Sequence, residues 1–497
     1  MRDDRPTIDG AREHVAGVRR QAREVPALVL AWSREQPERA GEVALIEGEQ
    51  ILGRGGARPE DVLPRAQFVQ QRPGQATLTG PLDSLRVSRA QLRLAPRGDA
   101  LRVESIGRCP LLVNGERVDG AEVQPGDTVQ LDHELVFLVA RRPERIPELR
   151  SLRLGDELRF GAADRFGLVG ETPAAWALRD QLAFAAHAEG HVLVRGESGT
   201  GKELCAAAIH GLSPRGERPL VARNAATFPA GLVDAELFGN AKNYPNPGVA
   251  ERDGLIGEAD GTTLFLDEIG ELPAALQAHL LRVLDRHGEY QRLGEARLRH
   301  ADLRVVAATN RAVAELKHDF AARFLLRVEV PPLSARAADV PLLIRHLLAR
   351  MAGGNDEVRR RFCDASRGAS ERRSREDQDD QREREALAPR VAPALVDRLL
   401  RHRFPTNTRG LAQILWQAVA ESRGDTVELT PGVVDQLAQA APDRAATAEV
   451  GRAQIEAALA AAQGNVTRAA RALGFKNRFA LYRVMKKLGV EAGDTGE

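Results

Sequence analysis

Residues 192–208 read VLVRGESGTGKELCAAA, which is a short β-type run, a glycine-rich loop and the start of a helical pattern. In such a loop the glycines let backbone N–H groups turn toward a phosphate, and the N-terminus of the following helix adds a partial positive charge. The Lys202 ammonium would reach the β- and γ-phosphates. The stretch therefore predicts a P-loop for a nucleoside triphosphate. Its candidate binding residues are Gly196, Glu197, Ser198, Gly199, Thr200, Gly201, Lys202 and Glu203.

A second, acidic element supports this interpretation. Residues 264–268 read LFLDE, an apolar strand that ends in two carboxylates. Asp267 is the predicted ligand of Mg2+, and Glu268 is predicted to polarise the attacking water. A Ser or Thr hydroxyl commonly follows the P-loop lysine, but here Glu203 does. Either Thr200 supplies the hydroxyl or the metal ion relies on water, and the expected cofactors are ATP and Mg2+.

Composition limits the class of protein. At 497 residues the chain is too long for one core, so we expect roughly three domains. A net charge of +1 makes general polyanion binding improbable, and any nucleic-acid contact should be local. Three widely spaced cysteines argue against a disulfide scaffold or a zinc site. The N-terminus lacks an apolar signal core and no apolar run is long enough for a membrane span, so we expect a cytoplasmic protein.

Two sequence patterns, one typical of an all-β domain and one of an α/β domain, follow one another along the chain. Between about residues 42 and 141, short β-type runs alternate with Gly, Pro and Asp turns, and Asn114-Gly115 is a hairpin signal, which together indicate an all-β sandwich. After residue 165, strand-like runs at 192–194, 263–266 and 303–307 alternate with helical stretches, which predicts a parallel sheet in an α/β domain. Residues 353–385 are charged and poor in apolar side chains, so they are predicted to be a disordered insertion.

The α/β segment resembles the AAA+ domain of bacterial enhancer-binding proteins, the ATPases that remodel RNA polymerase carrying sigma-54. The resemblance spans about residues 166–420 and rests on GLVG at 167–170, the P-loop, AELFG at 235–239 and LFLDEIGEL at 264–272. A Glu after the P-loop lysine is itself usual in that family.

The resemblance implies roles for several further residues. Asn224 would be the switch that orients Glu268, Asn310 the sensor at the end of a core strand, and Arg409 the sensor arginine of a helical lid. Arg327 would be an arginine finger that acts on a neighbouring subunit. The resemblance also implies a homo-oligomeric ring, generally a hexamer.

Two departures from the family pattern bear on function. Residues 243–248 read NYPNPG where the family has GAFTGA, the loop that contacts the sigma factor, and two prolines fix φ and remove backbone donors. The finger segment FRxDLYYRL is FAARFLLRV at 320–328, so Ala321 replaces the first finger arginine. Because an arginine finger contributes several orders of magnitude in rate, we expect slow hydrolysis, with Arg323 a less favoured substitute. These departures argue against ordinary remodelling of a sigma-54 polymerase, although the sigma factor stays a candidate partner.

The β segment resembles a forkhead-associated (FHA) domain, through LGR at 52–54, VSR at 87–89 and VNG at 113–115. By that resemblance, Arg54, Ser88 and Arg89 would hold a phosphothreonine and Asn114 would hold the ligand chain. The partner would be a phosphothreonine protein or a kinase substrate. The family's usual His is Gln91 here, a change expected to loosen the loop of Ser88 and Arg89. The alternative is an FHA fold that serves as an interaction platform without phosphate dependence.

The last fifty residues predict a helix-turn-helix. Amphipathic patterns at 453–463, 466–473 and 477–488 are separated by glycines, and the wording of the segment resembles the Fis-type DNA-binding domain. The basic face could be a solvated helix surface, but the two preceding helices favour a DNA contact. Its candidate DNA-contacting residues are Asn477, Arg478, Arg483, Lys486 and Lys487.

The predicted fold class is multidomain: an all-β FHA sandwich, an α/β AAA+ P-loop ATPase with a helical lid, and an all-α helix-turn-helix. The predicted boundaries are a leader over 1–41, the FHA domain over 42–141, a linker over 142–165, the AAA+ α/β subdomain over 166–345, the start of the lid with the charged insertion over 346–390, the rest of the lid over 391–440, a linker over 441–450 and the helix-turn-helix over 451–497.

Two functional hypotheses follow. The first is an ATP-dependent, DNA-binding transcriptional regulator of the sigma-54 enhancer-binding type, gated by phosphothreonine recognition and bound to an enhancer-like DNA site. The second keeps the binding functions but makes the AAA+ domain a nucleotide-gated scaffold with little hydrolysis, which represses or acts on another polymerase form. An unrelated motor, such as a helicase, is disfavoured by LFLDEIGEL and the terminal helix-turn-helix.

Overall fold

The structure, a computed structural model, describes residues 23–59, 61–153, 158–229, 231–285, 288–363 and 390–440, and six separate positions between 455 and 469. Within these residues no helix combines the length and apolarity needed to cross a bilayer. The chain divides into two compact units, Met1–Leu429 and Thr430–Glu497.

The first unit begins with a sandwich of two antiparallel sheets. The larger sheet has the order β5-β4-β2-β1-β12-β11-β8-β9 and the smaller one β10-β7-β6-β3. Their strands are β1 Glu24–Ser33, β2 Val43–Leu45, β3 Gln50–Leu52, β4 Phe68–Arg72, β5 Gln75–Leu78, β6 Leu92–Arg97, β7 Ala100–Ser105, β8 Leu111–Val113, β9 Glu116–Val118, β10 Gly120–Val123, β11 Thr128–Leu131 and β12 Leu135–Pro143. Inward-facing apolar side chains such as Leu28, Leu92 and Phe137 form the core. The β sandwich predicted from the sequence is confirmed.

The predicted hairpin turn is also present. Asn114 and Gly115 connect β8 to β9, and both have positive φ, 53° and 84°. Two central residues of positive φ are the requirement of a type I′ turn, which matches the twist of the flanking strands.

The predicted leader over 1–41 is wrong in its second half. Strand β1 pairs with β2 on one side and β12 on the other, so it is a central strand of the larger sheet. Seven consecutive residues, 25–31, are buried. The sandwich therefore begins at Glu24, and the residues before Arg23 lie outside the described part of the chain.

The α/β domain has a five-stranded sheet with the order β14-β15-β18-β13-β19. Its strands are parallel, which confirms the parallel sheet predicted from the sequence. Its strands and helices are α1 Pro173–His187, β13 Val192–Arg195, α2 Lys202–Gly211, β14 Val221–Asn224, α3 Val233–Phe238, α4 Gly254–Glu258, β15 Thr263–Asp267, α5 Ala274–Leu284, β18 Arg304–Thr309, α6 His318–Ala322 and β19 Leu326–Glu329. A two-stranded hairpin, β16 Glu289–Tyr290 and β17 Arg299–His300, precedes β18. Apolar clusters cover both faces of the sheet.

A helical lid follows the sheet. Its helices are α7 Val340–Gly354, α8 Asp356–Phe362, α9 Pro393–Leu400 and α10 Asn407–Glu421. The start of the predicted disordered insertion is wrong, because α8 is helical and buries Val358 and Phe362. The rest of that insertion, residues 364–389, lies outside the described residues.

The second unit contains α11 Pro431–Ala440, within the range predicted for the lid. Of the predicted helix-turn-helix, the structure describes six positions. Five of them are buried apolar residues: Ile455, Leu459, Ala462, Val466 and Ala469.

One buried carboxylate joins the sandwich to the α/β domain. Glu171, with 4% of its side chain exposed, accepts two hydrogen bonds from the Arg72 guanidinium of β4, at 2.8 and 3.3 Å. It also accepts the Gly161 N–H at 2.7 Å and the Trp176 Nε1–H at 3.0 Å. Because this carboxylate binds the sandwich through Arg72, the connecting segment through Gly161 and α1 through Trp176, it holds the two domains together.

The sandwich also contacts the lid. The Thr128 hydroxyl of β11 donates to Asp397 Oδ1 of α9, and Arg401 donates to the other oxygen of the same carboxylate. Thr128 is fully buried and Asp397 nearly so. Nearby, Arg345 of α7 donates to the Glu38 carbonyl at 3.3 Å.

We predict that Glu171→Ala lowers the free energy of unfolding by about 3–5 kcal/mol, because it leaves the largely buried Arg72 without its counter-charge. Chemical denaturation of the full chain measures this. The control is Glu144→Ala, which removes an exposed pair with Arg23 at 3.7 Å and should cost no more than about 1 kcal/mol. Equal losses for the two variants would contradict the role assigned to Glu171.

Candidate nucleotide and phosphopeptide sites

The P-loop connects β13 to α2. Gly199 and Gly201 have φ of 76° and 97°, a region that L side chains rarely adopt, and Lys202 is the first residue of α2. The Lys202 Nζ donates to the carbonyls of Gly196 and Glu197 at 3.1 and 3.3 Å. Its ammonium is thus held inside the loop, where a phosphate oxygen could replace these carbonyls.

Thr200 and Glu203 behave differently. The Thr200 hydroxyl donates to the Glu197 carbonyl at 2.8 Å, and the residue is buried. Glu203 is exposed on the first turn of α2. In this conformation the Thr200 hydroxyl therefore closes the loop.

Cys205, one turn into α2, is fully buried behind the P-loop. Burial raises the pKa of the Cys205 thiol to about 12. A thiol with that pKa stays protonated at neutral pH, so Cys205 contributes packing rather than a nucleophile.

The predicted acidic residues lie at the carboxyl end of the sheet. Asn224, the last residue of β14, is directly opposite Asp267, the last residue of β15. Glu268 follows in the left-handed conformation, φ 48°, and its N–H donates to Asp267 Oδ1 at 2.9 Å. Glu268 Oε1 is 3.8 Å from Lys202 Nζ and 22% of its side chain is exposed. The fold thus brings together Lys202, Asp267 and Glu268, which are far apart in sequence.

Asn224 and Asn310 lie at the same edge. Asn224 Oδ1 accepts the Ala226 N–H at 2.9 Å, and its side chain is half-buried. Asn310 follows the last residue of β18 and is exposed. Carboxyl ends of parallel strands share one edge, which is where ligands bind in open α/β sheets.

The lid lies directly on the P-loop. Arg409 Nη1 donates to Ser198 Oγ at 2.9 Å, and the Thr408 N–H donates to the Gly199 carbonyl at 3.1 Å. Asn407 Nδ2 donates to Glu197 Oε2 and to the Ser198 carbonyl, both at 3.0 Å. Arg409 was predicted from the sequence, whereas Asn407, two residues before it, was not.

The finger segment, which departs from the family pattern in sequence, has its candidate residues in three different environments. Ala321 is buried, 5% exposed, and the neighbouring Phe320 and Phe324 rings contact each other edge to face. The Arg323 guanidinium pairs with Asp285 of the same chain at 3.1 Å. Arg327 is exposed on β19, the edge strand of the sheet.

The loop at 243–248 is closed on itself. The Asn243 N–H donates to the Val249 carbonyl at 2.8 Å, and Asn243 Oδ1 accepts the Gly248 N–H at 2.9 Å. The Tyr244 ring packs on Gly294, where an added Cβ would be 2.4 Å from the ring. The loop is therefore anchored at its base and against the β16–β17 hairpin.

Three of the four candidate phosphopeptide residues come together at one end of the sandwich. The Arg54 N–H donates to the Ser88 carbonyl at 3.1 Å. A Cβ on Gly53 would be 1.9 Å from the Arg89 carbonyl, so only glycine permits this approach of the two loops. Arg65 links them, since its Nη1 donates to the Arg89 carbonyl at 2.7 Å and to the Arg54 carbonyl at 3.4 Å.

Arg54 has an unsatisfied donor. Its Nε is buried and has no hydrogen-bond partner among the described residues. A buried donor without a partner is costly, and an anion would satisfy it.

The expected loosening by Gln91 is wrong. Gln91 is fully buried, and its Oε1 accepts the N–H groups of Ser88 and Cys109, both at 3.2 Å. Its Nε2 donates to the Cys109 carbonyl at 2.8 Å. Because the amide supplies both a donor and an acceptor, it ties the Ser88 loop to the sandwich.

Asn114, the fourth candidate phosphopeptide residue, makes its hydrogen bonds to other residues than Arg54, Ser88 and Arg89. Its Nδ2 donates to Asp127 Oδ1 at 2.9 Å, and its Oδ1 accepts the Thr128 N–H at 3.0 Å. The adjacent Gly115 faces the lid, and a Cβ there would be 3.5 Å from the Arg401 guanidinium. The candidate ligand-chain residue is thus beside the contact between sandwich and lid.

The predicted DNA-contacting residues, Asn477, Arg478, Arg483, Lys486 and Lys487, lie outside the described residues.

Comparisons with known proteins agree with this architecture. The family model of the sigma-54 interaction domain matches residues 168–334, and that of the Fis family of bacterial regulatory proteins matches residues 447–488. The transcriptional regulatory protein ZraR of Salmonella typhimurium is 32% identical over 348 residues, 67% of this chain and 71% of that protein. The anaerobic nitric oxide reductase transcription regulator NorR of Escherichia coli is 34% identical over 411 residues, 77% of this chain and 73% of that protein.

Among solved structures, NtrX from Brucella abortus in complex with ADP is 28% identical, covers 66% of this chain and 70% of its own, and aligns with a TM-score of 0.43. From the family models and the two relatives together, the chain belongs to the sigma-54-dependent transcriptional regulators of bacteria, with a nucleotide-binding AAA+ domain followed by a DNA-binding Fis-type helix-turn-helix.

Proposed function

We propose that this regulator binds ATP with Mg2+ at its P-loop and hydrolyses it slowly as a homo-oligomeric, hexameric ring, under the control of a phosphothreonine protein that binds the sandwich. The observation that carries the proposal is the meeting of Lys202, Asp267 and Glu268 at one edge of the sheet, with the lid arginine Arg409 on the P-loop. This is the set of charges that phosphoryl transfer to water requires.

The carboxylates at this edge suit a hard cation and a water nucleophile. Asp267 Oδ1 is occupied by the Glu268 N–H, whereas Oδ2 has no hydrogen bond among the described residues and is available to Mg2+. Bound Mg2+ would neutralise charge on the phosphates. Glu268 would polarise the attacking water and Asn224 would orient Glu268. Asn310 would report on the γ-phosphate, and Arg327 would complete the site of the neighbouring subunit.

At the C-terminus, we propose that Asn477, Arg478, Arg483, Lys486 and Lys487 contact an enhancer-like DNA site. Paired helix-turn-helix units favour a pseudo-palindromic sequence, because the symmetry of the site mirrors that of the dimer.

A nucleotide-gated scaffold is the second candidate, and two observations favour it. The first finger position is the short, buried side chain of Ala321, which cannot reach a neighbouring subunit. The alternative finger, Arg323, is paired with Asp285 of its own chain. The loop at 243–248 is held by its own hydrogen bonds and by Gly294. In this version, ATP binding assembles the ring on DNA without appreciable turnover.

The slow ATPase and the nucleotide-gated scaffold can be distinguished by measuring ATP turnover by the full chain. The measurement is made at ring-forming concentration, with and without sigma-54 polymerase. We expect slow turnover that Glu268→Gln reduces roughly 100-fold or more, because it removes the group that polarises water. Glu258→Gln, an exposed residue of α4, is the matched control and should behave as the unmodified protein. ATP binding without turnover would instead establish the scaffold.

Phosphothreonine recognition is supported by the buried Arg54 Nε, which no group in the described part of the chain pairs with, and by the proximity of the Ser88–Arg89 loop. A guanidinium and a hydroxyl can bind phosphate oxygens through charge-assisted hydrogen bonds. The alternative platform role requires no phosphate.

Titration with phosphothreonine peptide pools and their unphosphorylated counterparts tests this. We expect phosphate-dependent binding that Arg54→Ala weakens at least tenfold, about 1.4 kcal/mol, since one charge-assisted contact is lost. Arg97→Ala, exposed at the opposite end of β6, should bind as the unmodified protein does. Equal affinity for phosphorylated and unphosphorylated peptides would favour the platform.

A further inference from the structure

The lid supplies hydrogen-bond donors to carbonyl groups of the P-loop. When backbone N–H groups face a phosphate, the neighbouring carbonyls face the other way and need donors of their own. The Ser198 carbonyl accepts Asn407 Nδ2 at 3.0 Å, and the Gly199 carbonyl accepts the Thr408 N–H at 3.1 Å. Two outward carbonyls of the loop are therefore satisfied by consecutive lid residues.

Asn407 is built into this contact. It is 1% exposed, has a φ of 51°, which Asn tolerates better than most residues, and is the first residue of α10. Its Oδ1 accepts the Leu333 N–H at 2.7 Å. Because a backbone N–H can only donate, that bond sets the direction of the amide and leaves Nδ2 pointing at the P-loop.

The amide has a second acceptor on the loop. Nδ2 donates to Glu197 Oε2 at 3.0 Å as well as to Ser198 O, so both of its hydrogens are used. The approach is also close, since a Cβ on Gly199 would be 2.2 Å from the Thr406 carbonyl.

We propose that Asn407 is a positioning residue for nucleotide binding: its amide holds the P-loop in the phosphate-binding conformation and makes that conformation depend on a closed lid. The proposal rests on ATP binding at this site, as proposed above. By linkage, nucleotide that needs the shaped loop stabilises the lid contact, and loss of the contact weakens nucleotide binding.

The sharpest variant is Asn407→Asp, which keeps the shape and the acceptor for Leu333. It replaces the donor with a carboxylate oxygen that faces the Ser198 carbonyl and the Glu197 carboxylate. Adding Glu197→Gln to this variant returns a donor to the pair and removes the repulsion between two carboxylates. The matched control is Asn355→Asp, the same change at the N-cap of α8, where Asp serves as well as Asn.

The measurement is the affinity of each full-length variant for a fluorescent ATP analogue with Mg2+, together with hydrogen exchange of the Thr408 amide with and without the analogue. We expect Asn407→Asp to bind at least tenfold more weakly, about 1.4 kcal/mol, and to lose the protection of Thr408 that nucleotide confers. The double variant should recover only part of the affinity, because the Ser198 carbonyl still lacks its donor, and Asn355→Asp should match the unmodified protein.

Affinities of the unmodified protein and Asn407→Asp within twofold of each other would overturn the proposal. So would weak binding that Glu197→Gln fails to rescue while the melting temperature without nucleotide falls, since that marks a merely structural residue. If the unmodified protein does not bind the analogue, ATP binding itself fails and this proposal fails with it, a result distinct from equal binding by both proteins.

Discussion

Two neighbouring buried carboxylates determine how the first unit of this protein is assembled. Asp339, at the start of α7, accepts the N–H groups of Glu171 and Thr172 at 2.8 and 3.0 Å and the Thr172 hydroxyl at 2.7 Å. Glu171 in turn binds Arg72 of the sandwich. Buried carboxylates are tolerated only when they are paired and hydrogen-bonded, so these bonds must form together. The sandwich, the first helix of the α/β domain and the first helix of the lid therefore meet at one point.

Much of this architecture could be predicted from local sequence. The P-loop and the acidic strand end were recognisable because phosphate and metal chemistry demand particular residues at particular places. The P-loop and the acidic strand end were expected to lie together because the carboxyl ends of parallel strands share one edge of the sheet. The hairpin at Asn114 was predictable for a similar reason, because few residues accept its positive φ.

Other features depended on tertiary contacts that a local pattern does not encode. Strand β1 was missed because its apolar run is continuous, and such a run does not distinguish a strand buried on both faces from a helix. Helix α8 was missed because its sequence, DEVRRRF, carries only two inward apolar side chains. The role of Gln91 could not be predicted from its type, since it depends on which backbone groups surround the amide. Asn407 was missed because its partners lie about two hundred residues away.

The sandwich touches both sides of the boundary between sheet domain and lid: Arg72 binds Glu171 on one side, and Thr128 binds Asp397 on the other. In addition, Ala31 and Trp32 of β1 line a cavity together with Pro341, Ile344 and Val396 of the lid. The sandwich is consequently not an independent domain that could be exchanged without affecting the lid. Exchanging it for an unrelated domain would uncover apolar surface on the lid, so the residues on each face of this contact limit which residues the other face can accept.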